Sequence, residues 1–323
     1  MNRRWMPFAT AAAALATALT APLGAMADDK TPLKIVVGFP PGGSADTLAR
    51  LIADGLRDRY NPVMVENRPG AGGRIALSQV KRAAPDGQTV IVLPSGPMVL
   101  FPHVYKKLDY DAVTDFTPIS LLTHFQFGVV AGPAAKAKTM AEMITAAKAA
   151  PGKGSYGTPG QGTLPHFMGV LFEQQVNVKL NHVPFQGGGP ANAALVGGHI
   201  DYKFDVVSET AELHRTGKVR ILAVTGDQRD PQVPEVPTLK EAGVDMVATA
   251  WFGMYGPAGV PAAARDRLQQ AVAEALKQPA MRERLRGLGY EPVGSTPAEL
   301  ATAQKADLER WAAPIKATGI SLD

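Results

Sequence analysis

The 323-residue chain contains no cysteine, carries 33 Lys/Arg against 29 Asp/Glu and has a formal net charge of +4. Without a thiol it has no disulfide framework, no thiolate metal site, no cysteine nucleophile and no lipid-modified N-terminal cysteine. Its basic residues are scattered, whereas a nucleic-acid partner calls for a clustered basic face.

The opening segment has the pattern of an export signal. Arg3 and Arg4 make a positive n-region, Phe8 to Leu23 is an Ala/Leu/Thr-rich apolar stretch, and Ala25-Met26-Ala27 matches an A-x-A cleavage site. The stretch is shorter and richer in alanine than the ~20 strongly apolar residues of a membrane span. Residues 1–27 are therefore expected to be a signal peptide cleaved after Ala27, with an uncleaved anchor as the alternative. The paired arginines hint at twin-arginine export, but ordinary secretion suits their surroundings better. Loss of Arg3 and Arg4 lowers the net charge from +4 to +2. A chain exported with neither lipid nor span is expected free in a bacterial periplasm.

The 296 residues after Ala27 exceed one average domain and suit two lobes. Ile35-Val36-Val37 predicts a strand, and Leu48, Leu51, Ile52 and Leu56 recur at helical spacing. Asn61-Pro62 reads as the stop of that helix and Val63-Met64-Val65 as a second strand. After Gly70, Gly72 and Gly73, a helix through Ile75 to Val80 and a strand from Thr89 to Leu93 are expected. This βαβαβ order favours a parallel sheet with helices on both faces.

Further along, Ser155-Tyr156, Asn181 to Phe185, Tyr202 to Val206 and Val219 to Thr225 are strand candidates separated by helices. T-x-x-E capping boxes stand at Thr139/Glu142, Thr238/Glu241 and Thr296/Glu299, with Pro297 at the first helical position of the last. The C-terminal third reads as helices, with Leu268, Val272 and Leu276 on one face and Leu308, Trp311 and Ile315 on another.

Doubly wound lobes place ligands beyond the carboxyl ends of their strands. Glycine-rich turns occur there in both halves: Pro40 to Ser44 and Ser95-Gly96 in the first, Gly157 to Thr163 and Gly187 to Pro190 in the second. The first turn leads from strand to helix and aims backbone N–H groups and a helix dipole at one small volume, an arrangement suited to an anion. Ser44 can cap the helix, face the ligand, or both. Asp46 can complement the dipole or contact the ligand, and Thr163 can cap the helix that continues through Pro165 and Phe167. Phe39 and Phe185 can stack on a ring or wall the cleft, while Trp251-Phe252 is assigned to hinge packing.

Catalytic signatures are weak. Gly42-Gly43-Ser44 does not complete G-x-S-x-G, the first loop lacks Gly-Lys-Ser/Thr, and G-x-G-x-x-G is missing from the first turn. The six histidines contain no HExxH, and His166 beside the second loop is expected to support that loop. A hydrolase built on Ser44, Asp46 and His166 is the enzymatic alternative. No cofactor and no metal are expected.

The stretch Val36-Val37-Gly38-Phe39-Pro40-Pro41-Gly42-Gly43-Ser44-Ala45-Asp46, followed by Ala49-Arg50, resembles the signature of Bug-type periplasmic receptors of tripartite tricarboxylate transport systems. Val65-Glu66-Asn67-Arg68-Pro69-Gly70-Ala71-Gly72-Gly73, Ala84-Pro85-Asp86-Gly87, Tyr105-Lys106-Lys107-Leu108, Phe204-Asp205, Leu222-Ala223-Val224-Thr225, Trp251-Phe252-Gly253 and Pro257-Ala258-Gly259 are similar to that family in the same order. The resemblance implies an α/β type II periplasmic binding protein, a Venus flytrap of two doubly wound lobes joined by two crossovers, near Leu121 to Val130 and Thr225 to Trp251. Lobe 1 would comprise residues 28–125 and 226–323, and lobe 2 residues 126–225. It implies a small organic acid held by backbone amides and waters, without catalysis, at Pro40 to Ser44 and Gly157 to Thr163, with Asp205 facing the cleft. The ligand-facing candidates are thus Phe39, Pro40, Gly42, Gly43, Ser44, Asp46, Ser95, Gly96, Gly157, Thr158, Gly160, Gly162, Thr163, Phe185 and Asp205. A monomer delivering its cargo to membrane permease subunits is expected, with signalling to a sensor kinase as the alternative.

Overall fold

The computed structural model describes residues 31–322; the expected signal peptide lies outside them. Strand β1 (Thr31–Val37) buries Leu33, Ile35, Val36 and Val37 completely, the continuous apolar run expected of a parallel strand covered on both faces. Helix α1 (Ser44–Leu56) turns Leu48, Leu51, Ile52 and Leu56 inward. Strand β2 (Tyr60–Asn67) follows. Asn61 and Pro62 are not the helix stop that their sequence suggests, because α1 has already ended at Leu56 and both residues lie within β2. Since β2 is an edge strand, the N–H that proline lacks need not pair with a neighbour.

A turn of 3-10 helix (Ala71–Gly73) leads into α2 (Arg74–Lys81), β3 (Thr89–Pro94), and the short helices α3 (Gly96–Val99) and α4 (Phe101–Val104). Next come β4 (Phe116–Ala131), α5 (Met140–Ala149), β5 (Ser155–Thr158), α6 (Leu164–Val176), β6 (Asn181–Pro184), α7 (Gly188–Val196), β7 (Tyr202–Val206), α8 (Ala211–Arg215) and β8 (Arg220–Val224). The chain ends with β9 (Thr249–Pro257), α9 (Ala262–Lys277), α10 (Pro279–Gly287), β10 (Glu291–Pro292) and α11 (Pro297–Thr318).

β1 pairs in parallel with β2 on one side (Ile35 opposite Val65) and β3 on the other (Ile35 opposite Val90), as the βαβαβ reading expects. β5 likewise lies parallel between β6 and β7. The sheet runs β2-β1-β3-β9-β4-β7-β5-β6, with β8 and β10 also on β4. The sequence pattern does not disclose β4, which joins the two parallel sets. From Phe116 to Gln126 it pairs antiparallel with β9, and from Phe127 to Ala131 with β7 and β8. Register shifts at Pro118/Ser120 and Leu121/Thr123 break the strict alternation that would mark a strand of this length.

The three capping signals differ in outcome. Thr296 accepts from the Glu299 N–H at 3.3 Å while the Glu299 carboxylate accepts from the Thr296 N–H at 2.8 Å, closing the box on α11. At α5, Thr139 accepts from Glu142 N–H at 3.2 Å, but the Glu142 carboxylate reaches Lys138 N–H instead. Thr238 and Glu241 form both reciprocal bonds, at 2.7 and 3.1 Å, around a turn that does not propagate as a helix. Leu268, Val272 and Leu276 are buried on α9, as are Trp311 and Ile315 on α11, with Leu308 partly covered.

Candidate binding site

The first glycine turn leaves β1 and enters α1 with Gly43 as N-cap and Ser44 as the first helical residue. Ser44 therefore does not cap α1; its first-turn N–H, which has no acceptor within the helix, donates to Glu209 Oε1 at 2.9 Å. Gly42 takes φ +83, a left-handed conformation open to glycine, and its N–H donates to Asp46 Oδ2 at 2.9 Å. Asp46 also accepts from Arg50 Nε and Nη2, each at 2.9 Å, and from Asn67 Nδ2 at 2.9 Å. Asn67 Nδ2 donates as well to the Phe39 carbonyl at 3.0 Å. Burial alone would raise the Asp46 carboxyl pKa, but the hydrogen bonds from Arg50, Gly42 and Asn67 hold it below the ordinary carboxylate value. Asp46 thus braces the turn from behind.

The second turn connects β5 to α6. Thr158 is fully buried, donating to the Gly160 carbonyl at 3.2 Å and lying 2.7 Å from His182 Nε2. Thr163 is the N-cap of α6, but its hydroxyl donates to the Gly160 carbonyl at 2.7 Å and makes no cap bond. Gly162 has φ +79 and donates its N–H to His166 Nδ1 at 3.1 Å. The His166 ring stacks on His182 with centroids 3.9 Å apart. Burial depresses the pKa of His166 to about 4; burial, then the neighbouring His166, depress that of His182 to about 3. A Cβ on Gly157 would collide with Ile200 and crowd Phe185, so Gly157 and Phe185 pack against each other.

Between the two turns lies a cavity with apolar walls from Phe39, Pro40, Pro94, Phe125, Phe127, Leu164 and Phe252. Of the sequence candidates, Phe39, Pro40, Gly43, Ser44, Gly96, Thr163 and Asp205 line it. Gly42 lines a neighbouring recess with Ser44, Gly189, Glu209 and Tyr290. Asp46, Ser95, Gly157, Thr158, Gly160, Gly162 and Phe185 are outside the lining and support the turns. Ser95, for instance, is buried and donates its N–H to the Trp251 carbonyl at 2.8 Å. Phe252, assigned by sequence to hinge packing, faces the cavity and stacks on Phe125 at 4.5 Å; Trp251 donates from its ring nitrogen to Asp307 at 2.9 Å.

The first turns of α1, α6 and α7 all reach this cavity through Ser44 and Ala45, Leu164, and Gly188 and Gly189. Charge enters beside them. Lys203 is fully buried, with Nζ 2.8 Å from Asp205 Oδ2 and 4.0 Å from Glu209 Oε2. It donates to Asn192 Oδ1 at 2.6 Å and to the Gly188 carbonyl at 3.2 Å. Asp205 Oδ1 accepts from Val206 N–H at 2.8 Å. Its Oδ2 is ion-paired with the Lys203 ammonium and has no second donor. Desolvation is the main cause of the raised Asp205 pKa; Lys203 opposes it and Glu209 adds to it.

The sequence matches, over residues 48–320, the model of the tripartite tricarboxylate transporter family receptors. The chain belongs to that receptor family. BugT of Bordetella pertussis is 31% identical over 312 residues, covering 95% of this chain and 96% of its own. Among solved structures, MatC of Rhodopseudomonas palustris with bound malate is 34% identical with a TM-score of 0.83, over 88% of this chain and 99% of that one. An R. palustris protein with adipate is 31% identical with a TM-score of 0.87, over 91% and 99%. The fold is that of a two-lobed periplasmic binding protein.

As a transporter-family receptor the chain is a solute-binding protein and not an enzyme. The hydrolase alternative also fails on geometry, since Asp46 is committed to Arg50, Asn67 and Gly42, and His166 Nδ1 to the Gly162 N–H. Among the described residues no helix is long and apolar enough to cross a membrane. Sequence reasoning named the Gly187 to Pro190 turn, which supplies Gly188 and Gly189 to the lining, but missed Glu209, Lys203, Phe125 and Phe127. The Gly187 to Pro190 run does signal a strand-end turn, and Phe204-Asp205 points to the neighbourhood. Lys203, two residues before Asp205 on β7, shares its face of the strand, whereas nothing local marks Glu209 as a cavity charge.

Proposed function

We propose that this receptor captures a small organic acid between two lobes in the periplasm and delivers it to the permease subunits of a tripartite tricarboxylate-type transporter. The carrying observation is the apolar cavity reached by the first turns of α1, α6 and α7. Helix N-termini favour an anion through unpaired N–H groups and the dipole, so a carboxylate is held without an arginine. The malate in MatC and the adipate in the R. palustris protein support this ligand class. Phe39, Pro40, Gly43, Ser44, Gly96, Thr163 and Asp205 are the ligand-facing residues in this reading.

Lobe 1 is assigned to residues 28–125 and 226–323 and lobe 2 to 126–225. The change of β4 partners at Gln126/Phe127 supports that boundary. Removal of residues 1–27 and a monomeric mature receptor complete the assignment. Ligand binding then shifts an open–closed equilibrium, without covalent chemistry.

Calorimetry of the purified mature protein against mono-, di- and amino-carboxylates tests the reading. Saturable one-site binding with no consumption of ligand supports it. Turnover of the bound acid, or the absence of binding across all three groups, overturns it.

A further inference from the structure

Glu209 stands where a ligand carboxylate would be drawn. Its Oε1 accepts from the Ser44 N–H at 2.9 Å, at the head of the 13-residue α1. A Cβ on Gly188 would overlap its Oε2, so the same carboxylate lies against the first residue of α7. Its side chain is 9% exposed, and its backbone carbonyl accepts from Asn192 Nδ2 at 2.8 Å. The chain thus supplies its own anion to the positive end of α1.

The charges around it do not cancel. Among the described residues, Lys203 is the one buried cation beside two carboxylates, Asp205 and Glu209, and its ammonium is already engaged by Asn192 and the Gly188 carbonyl. Asp205, 1% exposed and lining the cavity, has only that shared ammonium at Oδ2 and no second donor. Two buried carboxylates on one cation leave room for another.

We infer that Glu209, with Asp205, is a specificity determinant that selects an amine-bearing monocarboxylate with an apolar body over a dicarboxylate. The inference rests on the organic-acid reading above and deepens it. The ligand ammonium donates to Asp205 Oδ2 and Glu209, supplying the second donor and the second positive charge that the carboxylate pair lacks. The ligand carboxylate turns to the remaining first-turn N–H groups, at Ala45 of α1 and Leu164 of α6, which helix geometry leaves without intrahelical acceptors. The hydrocarbon part lies among Phe39, Phe125, Phe127 and Phe252. A second ligand carboxylate at the Glu209 end meets two like charges in a desolvated site, the kind of juxtaposition that rejects wrong partners.

Matched ligands separate charge from shape. Calorimetry compares 6-aminohexanoate, hexanoate and adipate, and in parallel 4-(aminomethyl)benzoate, benzoate and terephthalate, on the wild-type protein and on Glu209→Gln. In at least one series the wild type is expected to bind the amino acid about tenfold or more tighter than the diacid, and Glu209→Gln to lose or invert that preference. Gln keeps an acceptor for the Ser44 N–H, and thermal melting verifies that the variant folds. Failure of the wild type to prefer the amino acid over the diacid in either series, or an unchanged ratio in folded Glu209→Gln, overturns the inference and leaves the organic-acid receptor standing. Should Glu209→Gln fail to fold, the wild-type ratio alone decides. If no probe binds either protein, and the wider acid panel is silent too, the receptor reading falls and takes the inference with it.

Discussion

The Ser44 N–H and Glu209 Oε1 meet at 2.9 Å although 165 positions separate the two residues. Ser44 opens α1 beside β1, and Glu209 lies in the 3-10 turn that follows β7. Tyr290 strengthens the junction, with its hydroxyl 3.0 Å from Ser208 Oγ and 3.4 Å from the Ser44 carbonyl. Polar contacts at the head of α1 thus join the two parts of the sheet.

Gly43 should tolerate bulk in the fold but not in the site. Its φ of −80 and ψ of 174 are extended values open to any residue, and an added Cβ meets nothing nearer than Glu209 Oε1 at 3.5 Å. Gly43→Val is expected to cost about 1 kcal/mol of stability through the poorer N-cap. It should weaken the best-binding acid by roughly tenfold or more, about 1.4 kcal/mol. Denaturant unfolding and calorimetry on the same preparation test the separation; unchanged affinity would remove Gly43 from the site.

Lys203→Met removes the buried cation and strands Asp205 and Glu209 together. Breaking a buried pair from one side typically costs about 3–5 kcal/mol, so a large drop in the urea midpoint is expected. Lys203→Met combined with Asp205→Asn should recover part of the loss, because one of the two stranded charges is gone. A single variant as stable as wild type would show that the Lys203 ammonium contributes little.

Asp46→Ala should destabilise the protein by about 2–3 kcal/mol at neutral pH, since it deletes hydrogen bonds to an ionised acceptor. The Asp46 pKa is lowered on folding. Its contribution is therefore fully present above the unfolded carboxyl pKa of about 3.9 and is lost as pH falls through the lower folded value. Urea unfolding of both proteins should show a gap at neutral pH that narrows in strong acid.

The stacked His166 and His182 impose acid sensitivity of a different kind. Both rings have their pKa lowered on folding, to about 4 and about 3, so the unfolded chain binds more protons below its own histidine pKa of about 6.5. Stability should fall as pH drops from about 6.5 toward 4, by about 1–2 kcal/mol per ring at pH 5. In melting curves, His166→Asn with His182→Gln should flatten this part of the pH profile relative to wild type. An equally steep decline in the double variant would place the acid sensitivity elsewhere.

Much of the framework was legible because it is local. Leu48, Leu51, Ile52 and Leu56 announced α1, and the apolar run Ile35 to Val37 announced a buried parallel strand. The glycine turn at Phe39 to Ser44 likewise signalled backbone N–H groups beyond a strand end. Two misreadings show the limit of local pattern. Asn61-Pro62 resembles a helix stop, yet tertiary pairing draws both residues into β2. Ser44 resembles an N-cap, yet the cap falls on Gly43 and leaves the Ser44 N–H for Glu209.

The sequence by itself determined the α/β alternation and the strand-end turns, because periodicity and turn chemistry act over a few residues, and its ordered motifs carried the resemblance to this receptor family. Only the tertiary structure decided which turn residues face the cavity and which brace it. It also decided that Glu209, in the turn after β7, meets the Ser44 N–H at the head of α1. That depends on β4 carrying the chain from one set of parallel strands to the other, and no local pattern encodes the meeting of side chains so far apart in the chain.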